Sequence, residues 1–114
     1  MELQEIVQQC IKDSRDWFGE DLANNIPHHC LALAGEVGEL CNLIKKLQRK
    51  SLDINDETVQ NDIAMEITDC FIYLCNLAAL MGMDLGKAYD TKRFFNVERF
   101  SDAPVAGDGG TTPE

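Results

Sequence analysis

Apolar residues recur at steps of three and four along almost the whole chain. Val, Ile and Thr nowhere alternate with polar residues over a useful length, so the pattern predicts helices and no sheet. Leu3, Ile6, Val7, Cys10, Ile11 and Trp17 share one broad face of a first amphipathic helix over residues 2–17. Residues 19–27, with Asn24, Asn25 and Pro27, read as a connection. A second, longer helix over 28–50 carries Leu31, Leu33, Val37, Leu40, Ile44 and Leu47, and a turn at 51–55 follows it. The third, over 56–81, carries Val59, Ile63, Ile67, Cys70, Phe71, Leu74, Leu77 and Leu80. It stops at Gly82, a usual residue for the left-handed position after a helix. Asp84 then caps a fourth helix over 85–99. Residues 1–100 are expected to form one all-α domain. Residues 101–114, rich in Gly, Pro and Thr, read as a flexible acidic tail.

Composition narrows the picture. A chain of 114 residues that is 45% hydrophobic has room for one core and too much apolar content for general disorder. Its net charge of -10, of which only three charges lie in the tail, argues against nucleic acid as a partner, because phosphate binding requires the opposite sign. No apolar run approaches the length of a bilayer span, and the first five residues lack the basic start of a secretory signal, so no membrane partner and a cytoplasmic location are expected. Five cysteines without a C-x-x-C pair give neither a disulfide framework nor a zinc knuckle. Cys41, Cys70 and Cys75 read as small core residues, and Met65, Met81 and Met83 as gap fillers.

Four carboxylates do not belong in this pattern. At about 100° per residue, Glu36 and Glu39 lie about 60° apart among Ala32, Leu33, Leu40 and Leu43 on the second helix. Glu66 and Asp69 repeat the arrangement on the third, amid Ile63, Cys70, Tyr73 and Leu77. Four acids in the apolar stripes of neighbouring antiparallel helices repel one another and lose hydration, at several kcal/mol per ion unless a positive group compensates. Either a divalent cation supplies that charge, or Lys45, Lys46, Lys87 or Lys92 does, or the acids sit where water reaches them. All-oxygen ligation would select Mg²⁺ or Mn²⁺ over zinc or iron, since no histidine stands at i+3 from an acid. A calcium loop starting at Asp53 fails, with Thr58 in place of Gly and Ala64 in place of Glu.

At these residues the sequence resembles the MazG-like all-α nucleotide pyrophosphohydrolases, whose signature is ExxE, a spacer, then ExxD. Here it stands as Glu36-Val37-Gly38-Glu39 and Glu66-Ile67-Thr68-Asp69, with residues 40–65 between. The stretches LALAGEVGELCNLIKK and MEITDCFIYLCNLAALMGMDL are similar to the family's metal helices. Lys92-x-x-x-Asn96-x-x-Arg99 is similar to its downstream element. The resemblance spans Asp16 to Phe100. It implies a four-helix protomer assembling as a homodimer or homotetramer, and Mg²⁺-dependent cleavage of a nucleoside triphosphate between the α and β phosphates. Glu36, Glu39, Glu66 and Asp69 would hold the metal, with Glu36 or Glu39 activating the water. Lys92, Asn96 and Arg99, on one helix face at i, i+4 and i+7, would contact phosphate or sugar.

Within that family the dCTP pyrophosphatase branch is the nearest. Asp16-Trp17 is similar to its base-stacking tryptophan, Tyr73 to its pocket tyrosine and Asn96 to its pocket asparagine. The loop from Trp17 to Glu36 is longer than in that branch, and a second pocket tryptophan near Lys46 is absent. A pyrimidine deoxynucleotide is the expected substrate. A dUTP or broad NTP pyrophosphatase, a phosphoribosyl-ATP pyrophosphatase, and a non-catalytic nucleotide-binding or interaction protein are the alternatives. Residue by residue, simpler roles also exist. Trp17 could anchor the first helix on the second, and Tyr73 could be core with a satisfied hydroxyl. Lys45, Lys46, Arg49 and Lys50 could complement a helix C-terminus, with a phosphate contact from Lys46 as the other role, and Arg99 could do the same on the fourth helix. His28 and His29, after Pro27, read as surface or capping residues.

Overall fold

A computed structural model describes residues 1–101, and the expected tail beyond Ser101 lies outside the described residues. The chain is all-α, with no strand among those residues. Its elements are α1 (Leu3–Phe18), α2 (Glu20–Ala23), α3 (Ile26–Gln48), α4 (Glu57–Leu80) and α5 (Leu85–Phe100).

Local chemistry fixes most of the boundaries. The side chains of Asn25, Asp56 and Asp84 accept hydrogen bonds from the backbone N–H groups of His28 (3.0 Å), Thr58 (2.8 Å) and Lys87 (3.0 Å), capping α3, α4 and α5. Pro27 stands in the first turn of α3, where no amide hydrogen is needed, so the helix begins at Ile26 and not after the proline. Gly82, at φ 66°, follows α4, and the Met83 amide donates to the Ala78 carbonyl at 2.9 Å. Lys50 takes the equivalent left-handed position after α3 at φ 61°, with Ser51 N–H donating to Lys46 O at 2.9 Å. The expected connection at 19–27 contains one more helical turn, α2. Gly19 at φ 87° redirects the chain, and Arg15 Nε donates to Asn24 Oδ1 at 3.1 Å to close the corner.

Helices α3 and α4 form a long hairpin, α1 packs along α4, and α5 touches the rest of the chain through α1. The buried centre is Val7, Cys75 and Ala78, with Leu3, Ile6, Phe71 and Leu85 packed around it. The fold is open: its radius of gyration is 17.6 Å, against about 13 Å for a compact domain of this length. Much of the expected apolar stripe faces outward. Leu33, Leu40 and Leu47 are half-buried, whereas Leu31, Val37 and Ile44 are exposed. On α4 the exposed residues Ile67, Leu74 and Met81 repeat every seven positions. Tyr89, Phe94 and Phe95 are each at least 60% exposed on α5.

Several expectations for small residues are corrected. Cys41 is exposed, Cys70 is half-buried, and only Cys75 is fully inside. Met65, Met81 and Met83 are exposed and fill no gap. By length and composition alone, α4 is long and apolar enough to cross a membrane, which no uninterrupted apolar run in the sequence indicates. A helix packed by α1 on one side and α3 on another needs that apolarity too.

Candidate metal and ligand site

The α3–α4 hairpin brings three of the four singled-out acids together. One carboxylate oxygen from each of Glu36, Glu39 and Glu66 lies within 4.8 Å of the others. Glu36 and Glu66 are half-buried, Glu39 is exposed, and one oxygen of each half-buried pair member, Oε2 in both, is buried with no hydrogen-bond partner. None of the candidate lysines reaches them. The only ion pair among the described residues is Lys12 with Asp16 at 2.7 Å, on the surface of α1.

The electrostatic consequence shows on Glu66. The adjoining Glu36 carboxylate pushes its carboxyl above the ordinary range, and loss of hydration adds to this. The Glu39 side chain opposes it, while the charges of Glu36 and Asp69 raise it further. Oxygen donors with unsatisfied lone pairs, converging from two rigid helices, suit a hard divalent ion.

Two cavities meet at this cluster. The larger, about 430 Å³, lies between α1 and α4 and is lined by Asp13, Ser14, Trp17, Phe18, Leu22, His28, Glu36, Asp69, Tyr73 and Asn76, with Cys10 and Ile72. The other, about 340 Å³ and more open, is lined by Glu39, Asn42, Leu43, Asp62, Met65 and Glu66. Asp69 therefore stands with Glu36 at the wall of the larger cavity and is not part of the three-acid cluster.

Two aromatic residues flank the larger cavity as the sequence suggested. Trp17 is 71% exposed at its rim and packs edge-on against Phe18, so it does not anchor α1 to α3 through burial. Tyr73 is half-buried on the cavity wall. Burial, then the nearby carboxylates of Glu36 and Asp69, push its phenol above the usual value.

The basic residues are elsewhere. Lys46 is half-buried in the last turn of α3, its carbonyl accepting from Ser51 and Leu52, and it lines neither cavity. Lys92 and Arg99 are exposed on α5 and Asn96 is half-buried there. Arg99 lies over the ring of Phe100 at 4.9 Å. None of the three lines either of these two cavities.

Sequence reasoning passed over some of the lining. Asp62 stands one turn before Glu66 and continues its row, and Asn76 continues the row of Asp69 and Tyr73, so both could have been found by extending the helical spacing. His29 is a correction. It is 1% exposed, and its Nε2 donates to the Ala23 carbonyl at 2.6 Å while its ring packs 6.0 Å from that of Tyr73. The turn of α2 folds back over this position, so His29 is covered although Ile26, Pro27 and Cys30 around it are exposed. His28 is half-buried and lines the cavity.

No protein-family model matches the sequence, and no curated protein matches it.

Proposed function

We propose that the protein is a Mg²⁺-dependent nucleoside triphosphate pyrophosphohydrolase. It would cleave between the α and β phosphates to give the monophosphate and pyrophosphate, acting on a pyrimidine deoxynucleotide of the dCTP type in nucleotide-pool control. The observation that carries this reading is the convergence of Glu36, Glu39 and Glu66, with two buried oxygens lacking partners, beside an aromatic-lined cavity that shares Glu36 and Asp69. The donor set fits the cation that the resemblance implies.

Glu36, Glu39 and Glu66 would hold Mg²⁺, or Mn²⁺ in its place, with Asp69 completing the set from the cavity side. When bound, the cation neutralises triphosphate charge and makes water more acidic. Glu36 or Glu39 would accept the proton of the attacking water at a carboxylate oxygen. Trp17 and Tyr73 bracket the nucleoside from rim and wall, limiting its orientation and excluding water around the reacting end.

Oligomerisation belongs to the same proposal. The exposed rows Ile67, Leu74, Met81 and Val37, Ile44 repeat at seven residues, the spacing at which two helices share a seam. The exposed aromatic residues Tyr89, Phe94 and Phe95 of α5 add further uncovered apolar surface. A homodimer or dimer of dimers would cover these rows. Lys92, Asn96 and Arg99, which line neither of the two cavities, would serve the phosphates from a second copy.

The test is pyrophosphate release with Mg²⁺ from the four dNTPs, dUTP and the four NTPs, alongside Glu39→Gln and Asp69→Asn. Release by the wild type, reduced at least about 100-fold in both variants, is expected, since even supporting partners of metal ligands are worth up to that much. Absence of turnover across the whole panel would overturn the reading.

A further inference from the structure

Asn76 is 2% exposed, lines the larger cavity, and has a buried Oδ1 with no hydrogen-bond partner. An unpaired buried amide oxygen destabilises a fold, and the flanking positions Cys75 and Ala78 show that α4 takes small apolar side chains at this depth. The polar group therefore has no partner in the protein and has open space beside it. Ser14, 7% exposed on the facing helix α1, lines the same cavity.

The position along α4 indicates what would reach it. Asp69, Tyr73 and Asn76 stand at i, i+4 and i+7, one face of the helix. At 1.5 Å per residue the carboxylate and the amide are about 10 Å apart along the axis, with the Tyr73 ring between them. A nucleoside whose 5′ end lies at Glu36 and Asp69, and whose ring lies along Tyr73, presents the far edge of its base to Asn76. A primary amide offers an acceptor and a donor side by side, the complement of a base edge that carries a donor next to an acceptor.

We propose that Asn76, with Ser14 near it, is a specificity-determining residue that reads the hydrogen-bonding edge of the nucleobase at the inner end of the cavity. This deepens the nucleotide reading and rests on it. A site built around a buried polar group discriminates strongly against a ligand that leaves that group unpaired.

The experiment uses the full chain and nucleosides without phosphate or metal, followed by fluorescence of Trp17, the single tryptophan, at the cavity rim. The probes are 2′-deoxycytidine, 2′-deoxyuridine and a deoxyriboside bearing phenyl in place of the base. The wild type is expected to bind one of the two pyrimidine nucleosides at least about ten-fold tighter than the phenyl analogue. Asn76→Leu is expected to erase that preference while melting at the same or a higher temperature. Asn76→Ala gives the same comparison if leucine disturbs packing. A wild type that binds none of the probes or fails to distinguish the phenyl analogue, or variants that retain its preference, would overturn the proposal. Pyrophosphate release with an unchanged KM in Asn76→Leu would also sink it while leaving the hydrolase intact. Nucleoside discrimination lost in the variant, without turnover by the wild type, would uphold it and remove the hydrolase reading.

Discussion

The interface of α1 and α4 differs sharply between its two ends. At one end Val7, Cys75 and Ala78 are buried among Leu3, Ile6, Phe71 and Leu85. From Asn76, next to Cys75, toward the other end the same helices face each other with Asp13, Ser14 and Trp17 against Asp69, Tyr73 and Asn76, around a cavity. All four buried atoms without partners among the described residues belong to Glu36, Glu66, Asn76 and His29, at or beside the second end. Apolar burial stabilises the first end, whereas the second carries unpaired polar groups that cost stability. That contrast is the expected signature of a binding site held on a rigid support.

The largest expected effect separates the ends by stability. Val7→Asp, placing a charge at a fully buried position, should abolish cooperative unfolding in thermal melts, whereas Glu39→Gln should leave the melt intact while removing activity. Next, Val7→Ala should lower stability in urea titrations by about 2 kcal/mol through lost burial and a residual void. Glu66→Gln, which removes a crowded charge, should raise it when no Mg²⁺ is present.

The pH dependence sharpens the same comparison. The Glu66 carboxyl is raised from 4.5, so the folded state binds its proton more tightly than the unfolded state does. Its contribution to stability is fully present below the ordinary carboxylate value and is lost as pH rises through the raised one. On the proposed reading a divalent cation would replace that proton. Mg²⁺ should therefore raise the melting temperature more at neutral pH than at mildly acidic pH, as read by differential scanning calorimetry.

At the apolar end, burial, then the neighbouring Cys10, push the Cys75 thiol from 9.0 to about 11. Here the unfolded thiol ionises first, so stability falls as pH climbs between those values, and Cys75 resists alkylation while exposed Cys30 and Cys41 react. The smallest effect is at Lys50→Gly. Relieving a left-handed lysine after α3 should add about 1 kcal/mol, seen as a higher urea midpoint.

How much of this was legible in the sequence depended on the range of the interaction. The caps and stops written in local chemistry, such as Asp84 and Gly82, lie where expected, and the four long helices fall within two residues of the expected ranges. The turn of α2 was hidden because Gly19 and the asparagines read equally as a loop. The meeting of Glu36, Glu39 and Glu66 was visible as angles on two helices, but the placement of Asp69 on a different wall depends on how those helices cross. His29 was misread because its cover comes from α2. Periodicity also marks Val37, Ile44, Ile67 and Leu74 as apolar without showing that the fold leaves them exposed. For Lys92, Asn96 and Arg99 the spacing gave one helix face but no distance to the acids.

A Mn²⁺ titration followed by electron paramagnetic resonance, on wild type and on Glu39→Gln and Glu66→Gln, tests the central assignment most directly. Saturable uptake by the wild type, weakened at least about ten-fold in both variants and displaced by Mg²⁺, is the expected result. Failure of the wild type to take up Mn²⁺, or equal uptake by all three proteins, would return the three carboxylates to being a crowded but unliganded pair of helix faces.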